Sequence, residues 1–314
     1  MIRIKTVLQL LIILLFIGLG KNAHAQTSND DDGDSKPTKP RKVKGFHAGI
    51  YMGTLFANKY SAFTYDGHGF SRDGVKNNFN NSLMNYQIHY LHGGGNYQPD
   101  QIAPALGVAT TDWSFDSTDM PIKMRYNVAF MVGFNGRYCF DKSNAIIFNV
   151  NASKLTATGD FTIVTYNNVN SNPNLPQSST LFKTFALIGT EQRLLWQVGY
   201  QSIGTSNDNL NFVWEMGIDM TMAKADKNFT NINGLPIDLN SYYYQPIPGY
   251  SPYRPRNLTG IGYGFFGGMG LDLALGGKWT AQLLYSPSFD KINIGDDPRH
   301  KLQNAIGFRG YYNF

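Results

Sequence analysis

Cysteine occurs once in 314 residues, at Cys139, so neither a disulfide framework nor a multi-cysteine zinc site can be built. Charge is scarce as well: Asp, Glu, Lys and Arg make up 16% of the chain, against about 25% in an ordinary soluble domain. That deficit excludes a disordered chain or a charged coiled coil. Basic residues are not in useful excess, because Arg3, Lys5 and Lys21 lie in a segment expected to be removed, leaving 24 basic against 22 acidic residues. Nucleic acid is therefore not a partner that electrostatics would hold. Long hydrophobic runs are missing beyond the N-terminus; the stretch from Phe265 to Leu275 is interrupted by Gly267, Gly268, Gly270 and Asp272, so no membrane-spanning helix is expected. What is plentiful is Gly (33), Phe (21) and Tyr (19).

Residues 1–25 read as a secretory signal peptide: Arg3 and Lys5 precede an apolar run from Val7 to Leu19, and Ala23-His24-Ala25 supplies small residues before a cut. The run is about 13 residues, short of the roughly 20 that span a bilayer. The mature chain is expected to begin at Gln26, with no cysteine for a lipid anchor. Residues 26–44, with Asp30, Asp31, Asp32 and Asp34 followed by Lys36, Lys39, Arg41, Lys42 and Lys44, have almost nothing to bury and are expected to form a disordered periplasmic tail.

From Phe46 onward the pattern turns to period two, the spacing of a strand with two different faces. Tyr126, Val128, Phe130, Val132, Phe134, Tyr138 and Phe140 share one parity, opposed by Arg125, Asn127, Gly133, Asn135 and Arg137. Leu210, Phe212, Trp214, Met216, Ile218, Met220 and Met222 oppose Asn211, Glu215, Gly217, Asp219 and Thr221, and a third run from Ile261 to Leu275 repeats the scheme. A face of Gly, Asn and isolated charges is too poor in Lys and Glu to be a solvated surface. It suits the inside of a closed barrel whose outside lies in lipid.

Eight strands are expected, near 46–56, 125–140, 144–158, 181–202, 209–223, 258–275, 278–291 and 301–314, an even number as bacterial barrels require. The fold class is thus all-β: a transmembrane antiparallel up-and-down barrel over 45–314 with a filled lumen. Short turns alternate with long loops (57–124, 159–180 and 224–257), which assigns the turns and both termini to the periplasm and the loops to the exterior.

The last strand alternates Ile306, Phe308, Tyr312 and Phe314 with Gly307, Arg309, Tyr311 and Asn313 and stops on the aromatic residue. This resembles the assembly signal of bacterial outer-membrane proteins. The chain as a whole resembles the eight-stranded OmpA or OmpX kind of Gram-negative barrel, and its Tyr- and Asn-rich loops resemble those of the small Bacteroidota barrels. The resemblance implies insertion by the barrel-assembly machinery and residence among outer-membrane lipids and lipopolysaccharide.

Parity places Arg125, Arg137, Glu191, Arg193, Glu215, Asp219, Asp272, Lys278 and Arg309 inside. Eight strands enclose only enough room for side chains to fill, so these charges are expected to pair into a structural network, Glu215 facing Arg137 or Arg309. An ion pathway or gate for small solutes is the alternative. His89 and His92 lack a carboxylate at ligand spacing, so no metal or cofactor is expected. No His with a Ser two residues on supplies a base and nucleophile, which makes a lipid-modifying enzyme the lesser reading and a non-enzymatic one the first. Asp116-Ser117-Thr118 resembles a short O-glycosylation motif. In the third long loop, Tyr242, Tyr243, Tyr244, Tyr250 and Tyr253 with Arg254 and Arg256 make the expected partner-binding segment, since Tyr and Arg anchor interfaces. The expected role is a structural or accessory subunit contacting another envelope protein or lipopolysaccharide.

Overall fold

The computed structural model describes residues 44–71, 75–95, 98–167, 179–204, 210–240, 258–276, 278–294 and 299–314. The signal peptide, nearly all of the tail and the Tyr- and Pro-rich segment of the third long loop lie outside them. Eight long strands, β1 (Gly45–Phe56), β2 (Ala129–Cys139), β3 (Asn144–Asn167), β4 (Ser179–Ile203), β5 (Leu210–Ile232), β6 (Thr259–Gly276), β7 (Trp279–Asp290) and β8 (Lys301–Asn313), each pair antiparallel with the next. β8 returns to β1, with Tyr51 opposite Arg309, and the ring closes. The fold is an eight-stranded up-and-down antiparallel barrel.

Its outside is apolar wherever all eight strands are present. Phe212, Trp214, Met216 and Ile218 of β5, Tyr263, Phe265 and Met269 of β6, and Ile306 and Phe308 of β8 are all exposed. In water such a belt would be an aggregation surface; in hydrocarbon it is the expected finish. From Leu210 to Met222 the strand rises about 30 Å at ~3.3 Å per residue and the ~40° tilt usual in barrels, the thickness of a bilayer's hydrocarbon core. Aromatic rings gather at the tight-turn end: Phe46 stacks on Phe314 at 6.2 Å, Tyr312 meets Phe314 at 5.2 Å and Trp279 at 5.1 Å, and Tyr200 packs on Trp214 at 5.8 Å. Among the described residues no helix is long and apolar enough to cross a membrane.

β3 and β5 run past their expected ends at 158 and 223, while β4 nearly matches the expected 181–202. β3, β4 and β5 run to 24, 25 and 23 residues, about twice β1, β2 and β7 at 12, 11 and 12. The expected loops 159–180 and 224–257 are therefore strand over 159–167, 179–180 and 224–232. Along these extensions the faces exchange chemistry. In β3 the outward residues pass from Ile146 and Phe148 to Lys154, Thr156, Thr158 and Asp160, while the inward ones pass from Asn149 and Asn151 to Leu155, Ala157, Phe161 and Ile163. The change falls on one row: Lys154 pairs with Gln192, and Gln192 with Lys224. Below it stand Ala152, Leu194 and Met222, in register with one another.

The first long loop, expected over 57–124, folds into the concave face of these extensions. Of three short helical turns, Lys59–Ala62 and Leu83–Asn85 are started by Asn58 and Ser82, whose side chains accept from the amides of Tyr60 and Asn85, and at Ile102–Leu106 Asp100 accepts from the amides of Ile102 and Ala103. Gly107, at φ 72°, ends the last of them in a left-handed conformation that favours glycine. Tyr65, Leu83, Met84, Ile88, Ile102 and Phe115 are buried against Phe161 and Ile163 of β3 and Leu187 of β4. This is a cap with a hydrophobic core of its own.

Candidate functional site

The lumen is filled by side chains from every wall. Near the tight-turn end, Arg309 on β8 donates through both terminal nitrogens to Glu215 on β5, at 2.6 and 2.9 Å, a two-pronged charge-assisted contact across the barrel. Arg137 on β2 lies 3.5 Å from Asp272 on β6, with both side chains wholly buried. Gln201 knits the pairs together by donating to Glu215 at 3.2 Å and accepting from Arg137 at 3.3 Å, and Gln282 donates to Asp272 at 2.9 Å. The Tyr311 ring covers Arg137, with the guanidinium carbon 4.4 Å from its centroid. His47, 2% exposed, is hydrogen-bonded to Asn313 at the same end. Of the two arginines open to Glu215 on sequence grounds, the structure selects Arg309.

The inward glycines are seats for these large groups. A β-carbon on Gly53 or Gly307 would stand 2.5 Å from the Tyr51 hydroxyl oxygen, and one on Gly189 would stand 2.3 Å from the Tyr65 ring. Phe266 lies against Gly199 and Gly217 in the same way. Small residues and bulky ones are thus complementary around the lumen, as filling a narrow barrel requires.

At the long-loop end the polar network joins the wall to the cap. Glu191 on β4, fully buried, accepts from the Tyr65 hydroxyl at 2.7 Å, the Tyr126 hydroxyl at 2.8 Å and Arg193 Nε at 2.5 Å. Arg193 also donates to Gln303 at 2.5 Å and Ser61 at 3.2 Å. Sequence reasoning placed Glu191 and Arg193 inside but gave no reason to bring Tyr65, Ser61 or Tyr126 to them. Tyr126 had been assigned to the lipid face. Between Tyr126↔Ala157 and Met131↔Ser153 the pairing with β3 slips by one residue, and in a strand a slip of one exchanges the faces. The same slip turns Arg125, expected inside, out to solvent. Lys278, also expected inside, is exposed in the turn before β7, where the ladder shifts, and its Nζ lies 5.4 Å from the Tyr312 ring centroid.

In mid-lumen Asp219 is 5% exposed, and neither carboxylate oxygen has a hydrogen-bond donor among the described residues. Asp290 accepts from Thr221 at 3.0 Å and from Gln303. No group of three or more His, Cys, Asp or Glu suited to a metal occurs among the described residues.

On the cap, His89 stacks on Trp113 at 5.5 Å and is hydrogen-bonded to Asn85, while His92 is hydrogen-bonded to Gln101 at 2.8 Å, so the two imidazoles have separate partners. Burial holds the His89 imidazole below its ordinary pKa, against the opposing pull of Asp116. Asp116 caps the turn Ser117–Asp119, which places the short acidic motif in ordered structure. Ile306, Phe308 and Phe314 of the C-terminal strand are exposed on the belt, and Tyr312 is partly so. Tyr242, Tyr243, Tyr244, Tyr250, Tyr253, Arg254 and Arg256 lie outside the described residues.

No family model matches the chain, and no curated protein is similar to it. Among solved structures, the outer membrane protein OprG from Pseudomonas aeruginosa is similar at 10% identity over 88% of this chain and 100% of its own, with a TM-score of 0.37. Ail, the attachment invasion locus protein of Yersinia pestis, in complex with the heparin analogue sucrose octasulfate, is similar at 11% identity over 86% and 99%, with a TM-score of 0.31. A Pseudomonas aeruginosa FadL homologue is similar at 7% identity over 86% and 89%, with a TM-score of 0.20. With overlaps this low, none of them says what this chain does.

Proposed function

We propose that the chain is a non-enzymatic outer-membrane barrel, a structural or accessory subunit whose cap and outer loops contact another envelope protein or lipopolysaccharide. One observation carries this reading: the exchange of face chemistry at the row Lys154, Gln192 and Lys224. Below that row the barrel is finished for hydrocarbon; above it, outward Lys154, Thr156, Thr158 and Asp160 of β3 cover an apolar interior, the finish of a domain in water, while Leu181, Phe182 and Phe229 stay exposed on β4 and β5. A leader peptide at 1–25 and a terminal aromatic strand direct such a barrel to the outer membrane through its assembly machinery. The tight turns and termini then face the periplasm. Lumen arginines and carboxylates that spend their hydrogen bonds on one another favour filling over a narrow pore, the alternative reading.

Two measurements test the proposal. Cysteines introduced at Gly94 or Asn240 are expected to react with an impermeant thiol reagent on whole cells, and one at Ser143 is not; labelling at Ser143 alone would invert the orientation. In planar bilayers the purified protein is expected to stay closed. Steady single-channel conductance would put the pore reading first. Crosslinking from the cap in native membranes, followed by mass spectrometry, identifies the contact.

A further inference from the structure

Among the described residues three guanidiniums are buried in the lumen, Arg137, Arg193 and Arg309, and each has a carboxylate beside it: Asp272, Glu191 and Glu215. Five carboxylates of the described residues are buried there. The two left over, Asp219 on β5 and Asp290 on β7, are neighbours, because both stand opposite Gly264 of β6. With no side chain at 264 nothing divides them. Asp290 leans into the gap: its Cβ is 2.6 Å from the place a β-carbon on Gly264 would take, and its Oδ2 accepts at 3.0 Å from Thr221, two residues along β5 from Asp219. Asp219 meanwhile has both oxygens buried and without a donor. Two carboxylates over one glycine, away from bulk water, stay ionised together only if a cation joins them, a shared proton being the other way to neutralise the pair; Lys301 stands opposite Asp290 on β8 and no such cation stands opposite Asp219 in its ladder with β6.

The geometry points to a divalent-cation site of the magnesium type: one partly hydrated ion held between the Asp219 and Asp290 carboxylates, beside the Thr221 hydroxyl. Such an ion lets both carboxylates stay ionised. Mg²⁺ keeps several waters and is commonly bound through one or two carboxylates, which this pair offers; Ca²⁺ takes about six to eight oxygens. Metals that favour imidazole or thiolate are excluded by the ligand set, since the lumen imidazole His47 is engaged with Asn313 at the tight-turn end. A cleft at the long-loop rim, bordered by Asn58, Ser61, Gln303 and the cationic Arg299 and Lys301, reaches Asp290.

The test uses the full chain purified in detergent, stripped with EDTA and titrated calorimetrically with MgCl₂. One Mg²⁺ per chain is expected, with affinity falling at least tenfold in Asp219→Asn and in Asp290→Asn and unchanged in the surface variant Asp226→Asn. Heat-modifiable migration on gels establishes that each variant is folded. The stripped wild type supplies a second measurement that needs no variant: its urea midpoint should rise with MgCl₂ and not with NaCl of equal ionic strength. Absence of saturable binding by the wild type, unchanged binding by folded Asp219→Asn, or a midpoint that responds equally to both salts would overturn the proposal.

Discussion

Replacing Glu215 with Ala leaves Arg309 buried with no opposing charge. The guanidinium loses contacts of 2.6 and 2.9 Å, and Gln201 loses one of its two acceptors, at 3.2 Å, keeping Gln282 at 3.4 Å. The two charged side chains are 2% and 0% exposed, so water cannot stand in for the lost carboxylate. Breaking a buried pair from one side costs roughly 3–5 kcal/mol, most of it the penalty of the stranded charge. Asp226→Ala is the control: its partner Lys154 lies 4.0 Å away and is 64% exposed, and such surface pairs contribute about 0–1 kcal/mol. Urea unfolding in detergent, followed by the heat-modifiable band, compares the two. The double change Glu215→Met with Arg309→Met removes both charges at similar volume and should recover most of the loss, because a buried pair exchanged for apolar packing is often neutral. A Glu215→Ala protein within about 1 kcal/mol of the control, or a double variant as damaged as the single one, would refute the view that a stranded charge sets the cost.

Three further outcomes follow from the cap, its loop and the C-terminus. Tyr65→Phe and Tyr126→Phe each take one donor from Glu191, and hydrogen bonds to charged groups are worth about 1.5–3 kcal/mol; limited proteolysis should then cut within 57–128 sooner than in the barrel strands. Asp66, in the cap, is disfavoured as an anion by burial, but His68 at 3.0 Å and the Lys76 ammonium outweigh this and hold its pKa below the ordinary value. A depressed carboxyl pKa stabilises above the unfolded value of about 3.9 and loses that contribution as pH falls through the folded value, so hydrogen exchange around residues 66–71 should accelerate below about pH 4, and a Lys76→Met variant should respond less. Deleting Phe314, which stacks on Phe46, should deplete the protein from the outer membrane, and normal levels of heat-modifiable barrel would place the assembly signal elsewhere.

The belt strands were legible because each carries one apolar parity over a long run, and the inward charges followed from that parity without any knowledge of pairing. The upper ends of β3 and β5 were not, although period two continues through them, whereas β4 was expected over 181–202, nearly its whole length. Thr156, Thr158 and Asp160 take the parity that Ile146 and Phe148 hold below, so a search for one apolar face stops where the faces exchange. The cap was hidden for a different reason: residues 57–124 have no sustained period, and Tyr65, Met84 and Phe115 become a core only against a surface supplied from elsewhere in the chain. Arg125 and Tyr126 were misplaced by one extra residue in the ladder, which composition does not reveal. Which arginine meets Glu215 depends on heights and side-chain reach across the lumen, quantities that spacing along single strands leaves open.

The row Lys154, Gln192 and Lys224 also fixes how deeply the barrel floats. Sinking it by a single residue pair moves the row by about 5 Å along the normal, bringing two ammonium groups toward hydrocarbon at a cost that climbs from about 0–1 kcal/mol near the interface to 2–4 at mid-depth for each. Raising it by the same distance wets Met222, Leu194 and Ala152. The vertical position is therefore held from both sides, and because β3 to β5 continue unbroken across the row, the height of the cap above the lipid is locked to it. A bilayer thicker than the belt cannot be met by sliding; it must thin around the barrel, so this protein is expected to settle in the thinner regions of whatever membrane receives it.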